Sequence, residues 1–461
     1  MNFNSLTQSH IESLMAMVAA DRFSTGESVL DLHAKDQSHH PPSRPEAVIW
    51  PTTASEVAEI LKYANANRIA VTGWGSGSSL EGNPIPIERG IVLDFSQMNR
   101  ILNIREEDFQ ADVEPGVVYQ DLNAKLKYKG LFFPPDPGAR ATLGGMIANN
   151  ASGTRTIYYG STKDYVLRLS VVLACGEIIE LGTRASKTSS GYDLIRLFVG
   201  SEGTLGVVVG ATVRLVGLPV EFSAAIATFP SIDTAGKAVL EIMRTGLNPA
   251  ALELLGPECI DLMNKEDNLQ LDVSPTLFME FHGSTTRQLA EILEMADEIC
   301  RGRECRKFEP GLGREERDRI FKARHGLGEM IIRNHPDCRV LIMDVAVPIT
   351  AYAELISAIR KEMTDTNLVS YYISHAGNGN VHLNIVGKKD DQKKWDLINE
   401  ITNRLVTKSI DLGGTATGEH GIGLGKRKYM VAEHGSSLEW MRRIKSLFDP
   451  SGILNPGKIF P

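Results

Sequence analysis

Gly73-Trp74-Gly75-Ser76-Gly77-Ser78-Ser79-Leu80 follows a short apolar run, Arg68 to Thr72, that reads as a strand. How this stretch is read decides the architecture of the N-terminal half. Glycine tolerates positive φ, so successive backbone N–H groups can turn inward as an anion nest, and the serine hydroxyls add donors. The spacing is not that of the Rossmann dinucleotide turn. Counted from Gly75 the third glycine of G-x-G-x-x-G falls on Leu80, and counted from Gly73 it falls on Ser78. A P-loop is excluded as well, because the nearest Gly-Lys pair, Gly425-Lys426, has His420 five residues earlier and Arg427 after it. Taken alone, one such loop reads equally well as a tight turn or as a pyrophosphate cradle.

Two further glycine-rich segments shift that balance toward a phosphate-bearing cofactor. One runs from Pro135-Asp136 through Thr142, Gly144, Gly145, Asn149 and Ser152 to Gly153. The other is Gly200-Ser-Glu202-Gly203-Thr-Leu-Gly206, followed by Val207-Val208. Between them the pattern alternates strands and helices. Short strands are expected at 47–50, 91–95, 101–104, 110–113 and 206–216, with a hairpin over 171–181. Helices are expected over 8–20, from Ser55 with Val57, Ile60, Leu61 and Ala64 at helical spacing, over 118–129 and over 438–448. The character changes near Val216–Val220, so the expected domains are 1–217, 218–425 and a terminal segment 426–461.

With 461 residues the chain exceeds one ordinary core. It is 42% hydrophobic and 23% charged, with a formal net charge of −8 and no dense Lys/Arg block, which argues against nucleic acid as a partner. No run of 18 apolar residues is present. The first basic residue is Arg22, so residues 1–21 are not expected to be a secretory or transit leader, and a cytoplasmic setting is expected. Cys175, Cys259, Cys300, Cys305 and Cys338 are odd in number and lack CxxC spacing, which suits a reducing compartment and offers no iron–sulfur framework.

The strongest chemical signal lies near the C-terminus. His375-Ala-Gly-Asn-Gly-Asn380-Val-His382 places two imidazoles either side of a glycine turn, and Thr417-Gly-Glu419-His420-Gly-Ile-Gly adds a carboxylate with an adjacent base. Gly377 and Gly379 disfavour a helix, so His375 is expected to end one strand and His382 to begin the next. Each histidine alone reads as an ordinary hydrogen-bonded side chain. As a set, two histidines and one carboxylate can hold a divalent metal with positions open for substrate.

At these residues the chain resembles the FAD-linked oxidases of the vanillyl-alcohol oxidase and p-cresol methylhydroxylase (PCMH) type, and within them the D-lactate dehydrogenases and the FAD-linked subunit of glycolate oxidase. The resemblance rests on Gly73–Leu80, Thr142–Gly153, Gly200–Gly206, His375–His382, Thr417–Gly423 and Asn455-Pro-Gly-Lys. It implies an α+β fold: an N-terminal FAD-binding domain of two α/β subdomains (PCMH type), then a ferredoxin-like antiparallel-sheet substrate domain with a helical cap, and a tail that returns to the flavin. It assigns FAD binding to Gly73, Gly75, Ser76, Gly77, Ser78, Ser79, Pro135, Asp136, Thr142, Gly144, Gly145, Asn149, Ser152, Gly153, Glu202, Gly206, Val208 and Asn455. The first loop has no His or Cys for a covalent flavin link, so FAD is expected to be non-covalent.

The resemblance further implies zinc or manganese, with iron less favoured, on His375, His382 and Glu419. It implies His420 as general base, Arg324 as the partner of a substrate carboxylate, and Asn380 hydrogen-bonded to substrate or flavin. Relatives acting on D-2-hydroxyglutarate have a lysine where this chain has Ile342 and a threonine where it has Gly328, so a monocarboxylate such as D-lactate is expected. Electrons would pass to a quinone, a cytochrome or an electron-transfer flavoprotein. A glycolate oxidase subunit with an iron–sulfur partner is the alternative within the enzyme class. An FAD-binding electron-transfer subunit without its own substrate, and a flavin-free metal hydrolase, are alternatives of other classes. A homodimer and a peripheral position at the inner face of a membrane stay open.

Overall fold

The computed structural model describes residues 2–267 and 269–461. Its tertiary contacts divide the chain into two units, Met1–Ser152 with Ser161–Leu218 and Glu419–Pro461, and Gly153–Gly160 with Pro219–Gly418. The boundary expected after residue 217 lies at Leu218/Pro219. The one expected after residue 425 lies at Gly418/Glu419, and the short stretch Gly153–Gly160 groups with the second unit.

The first unit holds a four-stranded sheet in the order Phe23–Ser24, Ala47–Ile49, Ile91–Asp94, Val71–Trp74. Ala47–Ile49 and Val71–Trp74 both run parallel to Ile91–Asp94. Parallel pairing needs a crossover, and the helix Ala54–Ala66 lies in the connection. Thr53 caps that helix by accepting from the Glu56 amide, and Val57, Ile60, Leu61 and Ala64 form its buried stripe as their spacing predicts.

The strand expected over 68–72 runs instead from Val71 to Trp74, so Gly73 lies inside it. The reason is the preceding helix end. Arg68 takes φ +52° and the Ile69 amide returns to the Ala64 carbonyl, so these residues close the helix rather than open the strand. The helix expected over 8–20 spans only Gln8–Met15, because Ala20–Arg22 forms a 3-10 turn leading into Phe23–Ser24.

A second sheet of this unit is antiparallel, in the order Ile101–Arg105, Gln110–Val113, Val207–Arg214, Val166–Val172, Ile178–Gly182. The last two strands form the expected hairpin. The C-terminal tail returns to the first sheet. Leu454 bridges Val71 in parallel, the Val71 amide donates to Ile453 O at 2.8 Å, and the Asn455 amide donates to Val71 O at 2.7 Å. The edge of the strand that launches the glycine loop is thereby covered.

The second unit is built on a seven-stranded antiparallel sheet. Its order is Lys307–Leu312, Glu221–Thr228, Thr276–Gly283, Ala251–Leu255, Ser370–His375, Asn380–Lys388, Cys338–Ala346. On one face Ala224, Ile226, Ala251, Leu255, Phe278 and Ile373 pack with the helices Pro257–Asp267 and Arg314–Asn334. Directly opposed residues share a face. The register Glu253↔His375↔Asn380 and Ile373↔His382↔Asp344 therefore lays a polar row across that same face. Among the described residues no helix is long and apolar enough to cross a membrane.

The covered edge gives a test. Leu454 is 0% exposed and sits in the core of the first unit. Leu454→Ala should cost about 2–5 kcal/mol, read as a lower urea midpoint for this unit; a loss under about 1 kcal/mol would mean that the tail does not close this core.

Candidate functional site

In the first unit the three glycine-rich segments line one cleft. Its empty space is about 1360 Å³, open solvent at the mouth included. Gly73, Gly75, Ser76, Gly77, Ser78 and Ser79 line it from the first segment, Thr142, Gly144, Gly145, Asn149 and Ser152 from the second, and Glu202, Gly206 and Val208 from the third, with Asn455 from the tail.

A glycine is required at residue 75 by close approach, since a Cβ there would lie 2.4 Å from Thr142 Oγ1. The first and second segments can meet only if that position carries no side chain. Three expected residues are not among the lining. Pro135 and Asp136 are two of them, although the next residue, Pro137, does line it, and the Asp136 carboxylate accepts from Tyr119 OH at 2.5 Å and from the Gly138 amide. Gly153 belongs to the second unit.

The cleft is also lined by Trp74, Asn83, Phe95, Phe198 and Ser201, which spacing did not single out, and by Glu419 and His420. Among the described lining residues His420 is the one histidine and there is no cysteine. Ser152 Oγ donates to Glu419 Oε2 at 2.7 Å, and Asn149 Nδ2 donates to the His420 carbonyl at 3.3 Å. Two residues of the second glycine segment thus hold the Glu419-His420 dipeptide at the cleft.

The second unit gathers its own polar cluster on the sheet face described above. His375 ends its strand, Ala376–Asn378 forms the turn, and Asn380 opens the next strand. The His375 and His382 rings meet edge to face, with centroids 5.1 Å apart and planes at 85°. Glu253 anchors the group. One oxygen contacts His375 Nδ1 at 2.7 Å, and the other accepts from Arg324 Nε at 3.0 Å and Nη2 at 2.6 Å. Burial pushes the Glu253 carboxyl up, but the His375 and Arg324 charges and hydrogen bonds outweigh it and hold it below the usual range.

Asp344 is the second anchor. It accepts from Asn380 Nδ2 at 2.7 Å and Thr417 Oγ1 at 2.9 Å, and its Oδ1 lies 3.6 Å from His382 Nδ1. Asn380 Nδ2 also donates to Val345 O at 2.8 Å, so that amide is committed inside the cluster. Beside it, Glu280 contacts His282 Nε2 at 2.6 Å and Arg155 Nε at 3.4 Å, while Tyr159 OH meets His282 Nδ1 at 2.7 Å. Sequence reasoning missed Glu253 and Glu280. Their signal was a lone acid in an apolar strand, Ala-Leu-Glu-Leu-Leu and Leu-Phe-Met-Glu-Phe.

A family model for the C-terminal domain of FAD-linked oxidases matches residues 218–459, and one for an FAD-binding domain matches residues 45–182. The chain is 36% identical to a zebrafish (Danio rerio) protein named "Probable D-lactate dehydrogenase, mitochondrial", over 97% of this chain and 91% of that one. It is 34% identical to the glycolate oxidase subunit GlcD of Bacillus subtilis, over 99% and 97% of the two chains. Among solved structures, p-cresol methylhydroxylase with substrate bound superposes with a TM-score of 0.79 at 16% identity, covering 99% and 98% of the chains, which supports the fold.

The Glu280 cluster sets an acid limit on the second unit. Burial pushes this carboxyl up, yet Arg155 and His282 bring it down from 4.5 to about 2. A carboxyl lowered on folding stabilises above its unfolded pKa, and that stability is lost as pH falls through the folded one. Urea midpoints should therefore drop between about pH 4.5 and about pH 2. Glu280→Gln should lower the midpoint at neutral pH and flatten the drop; a mutant profile as steep as wild type would rule the cluster out as its source.

Proposed function

This chain belongs to the FAD-linked oxidases, and from that premise we propose that it oxidises a D-2-hydroxy acid, D-lactate to pyruvate, with an acceptor other than NAD. It is an FAD-dependent oxidoreductase of the hydroxy-acid type. The observation that carries the finer reading is the pairing of His375 with His382 over two buried carboxylates, Glu253 and Asp344. A histidine oriented by a buried carboxylate is the usual arrangement of a metal-ligating imidazole. The donor set we propose is His375, His382 and Glu419, whose mixed nitrogen and oxygen atoms suit zinc or manganese, with iron less favoured.

When bound, non-covalent FAD supplies the two-electron acceptor and the metal supplies a Lewis acid for the substrate hydroxyl. The chain's own residues do the rest. The side-chain-free backbone at Gly75 and the Ser76, Ser78 and Ser79 hydroxyls suit a pyrophosphate. His420, beside Glu419 on the cleft, takes the hydroxyl proton. Arg324, its fork fixed by Glu253, meets the substrate carboxylate with the remaining donors. Asn380, tied to Asp344 and Val345, holds the turn between the histidines.

By the resemblance, relatives acting on a dicarboxylate carry lysine and threonine where this chain has Ile342 and Gly328, which favours a monocarboxylate. The likeness to GlcD supports a second reading, a glycolate oxidase subunit that needs an iron–sulfur partner. A quinone, a cytochrome or an electron-transfer flavoprotein would take the electrons, and the cytoplasm, with contact to the inner face of a membrane, is the location we propose.

Anaerobic addition of D-lactate should bleach the flavin band near 450 nm, and L-lactate and D-2-hydroxyglutarate should not. Prior chelation should abolish the bleaching, and zinc or manganese should restore it. Bleaching that survives chelation would remove the metal from the scheme, and glycolate as the best reductant would favour the second reading. His420→Ala should slow flavin reduction by about 10²–10⁴-fold, measured by stopped flow; an unchanged rate would exclude it as the base.

A further inference from the structure

Glu202 is an acidic side chain in a cleft suited to a diphosphate, where a carboxylate would repel the ligand. Its contacts resolve the conflict. Oε1 accepts from the Ile422 amide at 2.6 Å and Oε2 from the Gly423 amide at 2.9 Å, and the residue is 4% exposed. Both oxygens face the loop that begins at Glu419-His420, so the carboxyl group is directed at backbone donors. We propose that Glu202 is a positioning residue, a two-oxygen clamp that fixes the His420 loop against the cleft wall.

The clamp is itself rigidly mounted. Glu202 takes φ +53°, a left-handed conformation that is strained for a residue with a side chain. The Glu202 amide donates to Ala148 O at 2.8 Å, and its carbonyl accepts from Asn455 Nδ2 at 2.7 Å. Asn455 Nδ2 also donates to Asn83 O at 3.0 Å, and Lys458 Nζ donates to Asn455 Oδ1 at 3.2 Å and to Ile85 O at 2.6 Å. Three segments distant in sequence thereby converge on one glutamate. Burial outweighs the rest and raises its carboxyl above the usual range, although the Ile422 amide, the Asn83 side chain, the Gly423 amide and the Lys458 charge each favour the anion.

The loop side is shaped to fit. Gly421 has φ +82°, and a Cβ there would lie 2.8 Å from Asn83 Nδ2 and 2.9 Å from Glu202 Oε1. His420 is therefore held from both sides, through its own carbonyl by Asn149 and through the following amides by Glu202. A carboxylate is the side chain that can accept at both oxygens. Glutamine in the same place would turn an NH2 group toward one of the two N–H donors. The clamp stands on these contacts alone; its effect on turnover rests on the reading of His420 as the base.

The test uses the FAD-loaded full chain carrying Glu202→Gln, first without substrate. Amide exchange followed by mass spectrometry should quicken by about tenfold or more in the segment 419–425, with the remainder unchanged and the flavin band retained. The rate of flavin reduction by saturating D-lactate should then fall about 10- to 100-fold, while the half-saturating concentration moves less than about twofold. Unchanged exchange in 419–425 overturns the clamp whatever the activity. Faster exchange with an unchanged reduction rate overturns the positioning role, and weakened FAD binding at an unchanged rate makes Glu202 a cofactor residue instead.

Should Glu202→Gln fail to fold, Gly421→Ala loads the same contact from the loop side and must give the same pattern; its absence counts against the proposal. A wild-type flavin that D-lactate does not reduce retires the substrate reading, and the exchange result still decides the clamp.

Discussion

Burial of the Glu253 carboxylate is the constraint from which the second unit's polar row follows. The side chain is 0% exposed, and an unpaired charge there would be prohibitively costly. Each oxygen therefore has a cationic or imidazole partner, Arg324 on one and His375 on the other. Satisfying both fixes three things together. It holds the helix Arg314–Asn334 over the sheet, it keeps the strand Ser370–His375 in its register with Ala251–Leu255, and it sets the plane of the His375 ring. Asp344 does the same on the far side, engaging Asn380 and Thr417 and lying near His382. Breaking such a network by removing one partner is far more damaging than never having had it, which is why a rigid pair of imidazoles can be kept in an otherwise apolar sheet.

The first unit solves a different problem, that of making room. Its cleft exists because backbone comes close to side chain where a Cβ would collide, as at Gly75 against Thr142. The polar groups around it are held from behind. Ser152 holds Glu419, Asn149 holds the His420 carbonyl, and the C-terminal turn at Asn455 reaches back to Asn83 and Glu202. Glycines and hydroxyls thus form the floor of a cleft whose walls are fixed from behind, and pre-organisation is what lets contacts translate into affinity.

Much of this was legible in the chain itself, for identifiable reasons. Helices showed through the buried stripe of Val57, Ile60, Leu61 and Ala64, and the 375–382 turn through its glycines, because these are local effects. Element ends were less legible: the strand at Val71 starts late because Arg68 and Ile69 close the preceding helix, a choice made by one hydrogen bond to Ala64. Glu253 and Glu280 were visible only as anomalies, single acids within apolar strands. Their partners, Arg324 and Arg155, lie 71 and 125 residues away in the chain.

By itself, then, the sequence determined which residues could line a phosphate-binding cleft and which could offer imidazole and carboxylate donors, since residue type and short-range turn geometry are local properties. Tertiary structure alone decided that Glu202 accepts from the Ile422 and Gly423 amides, that Asp136 turns to Tyr119, and that Gly153–Gly160 packs with the other unit. The physical reason is common to all three. A buried charge or amide must find its partner, and which partner comes within reach is settled only when strands and loops distant in sequence are packed together.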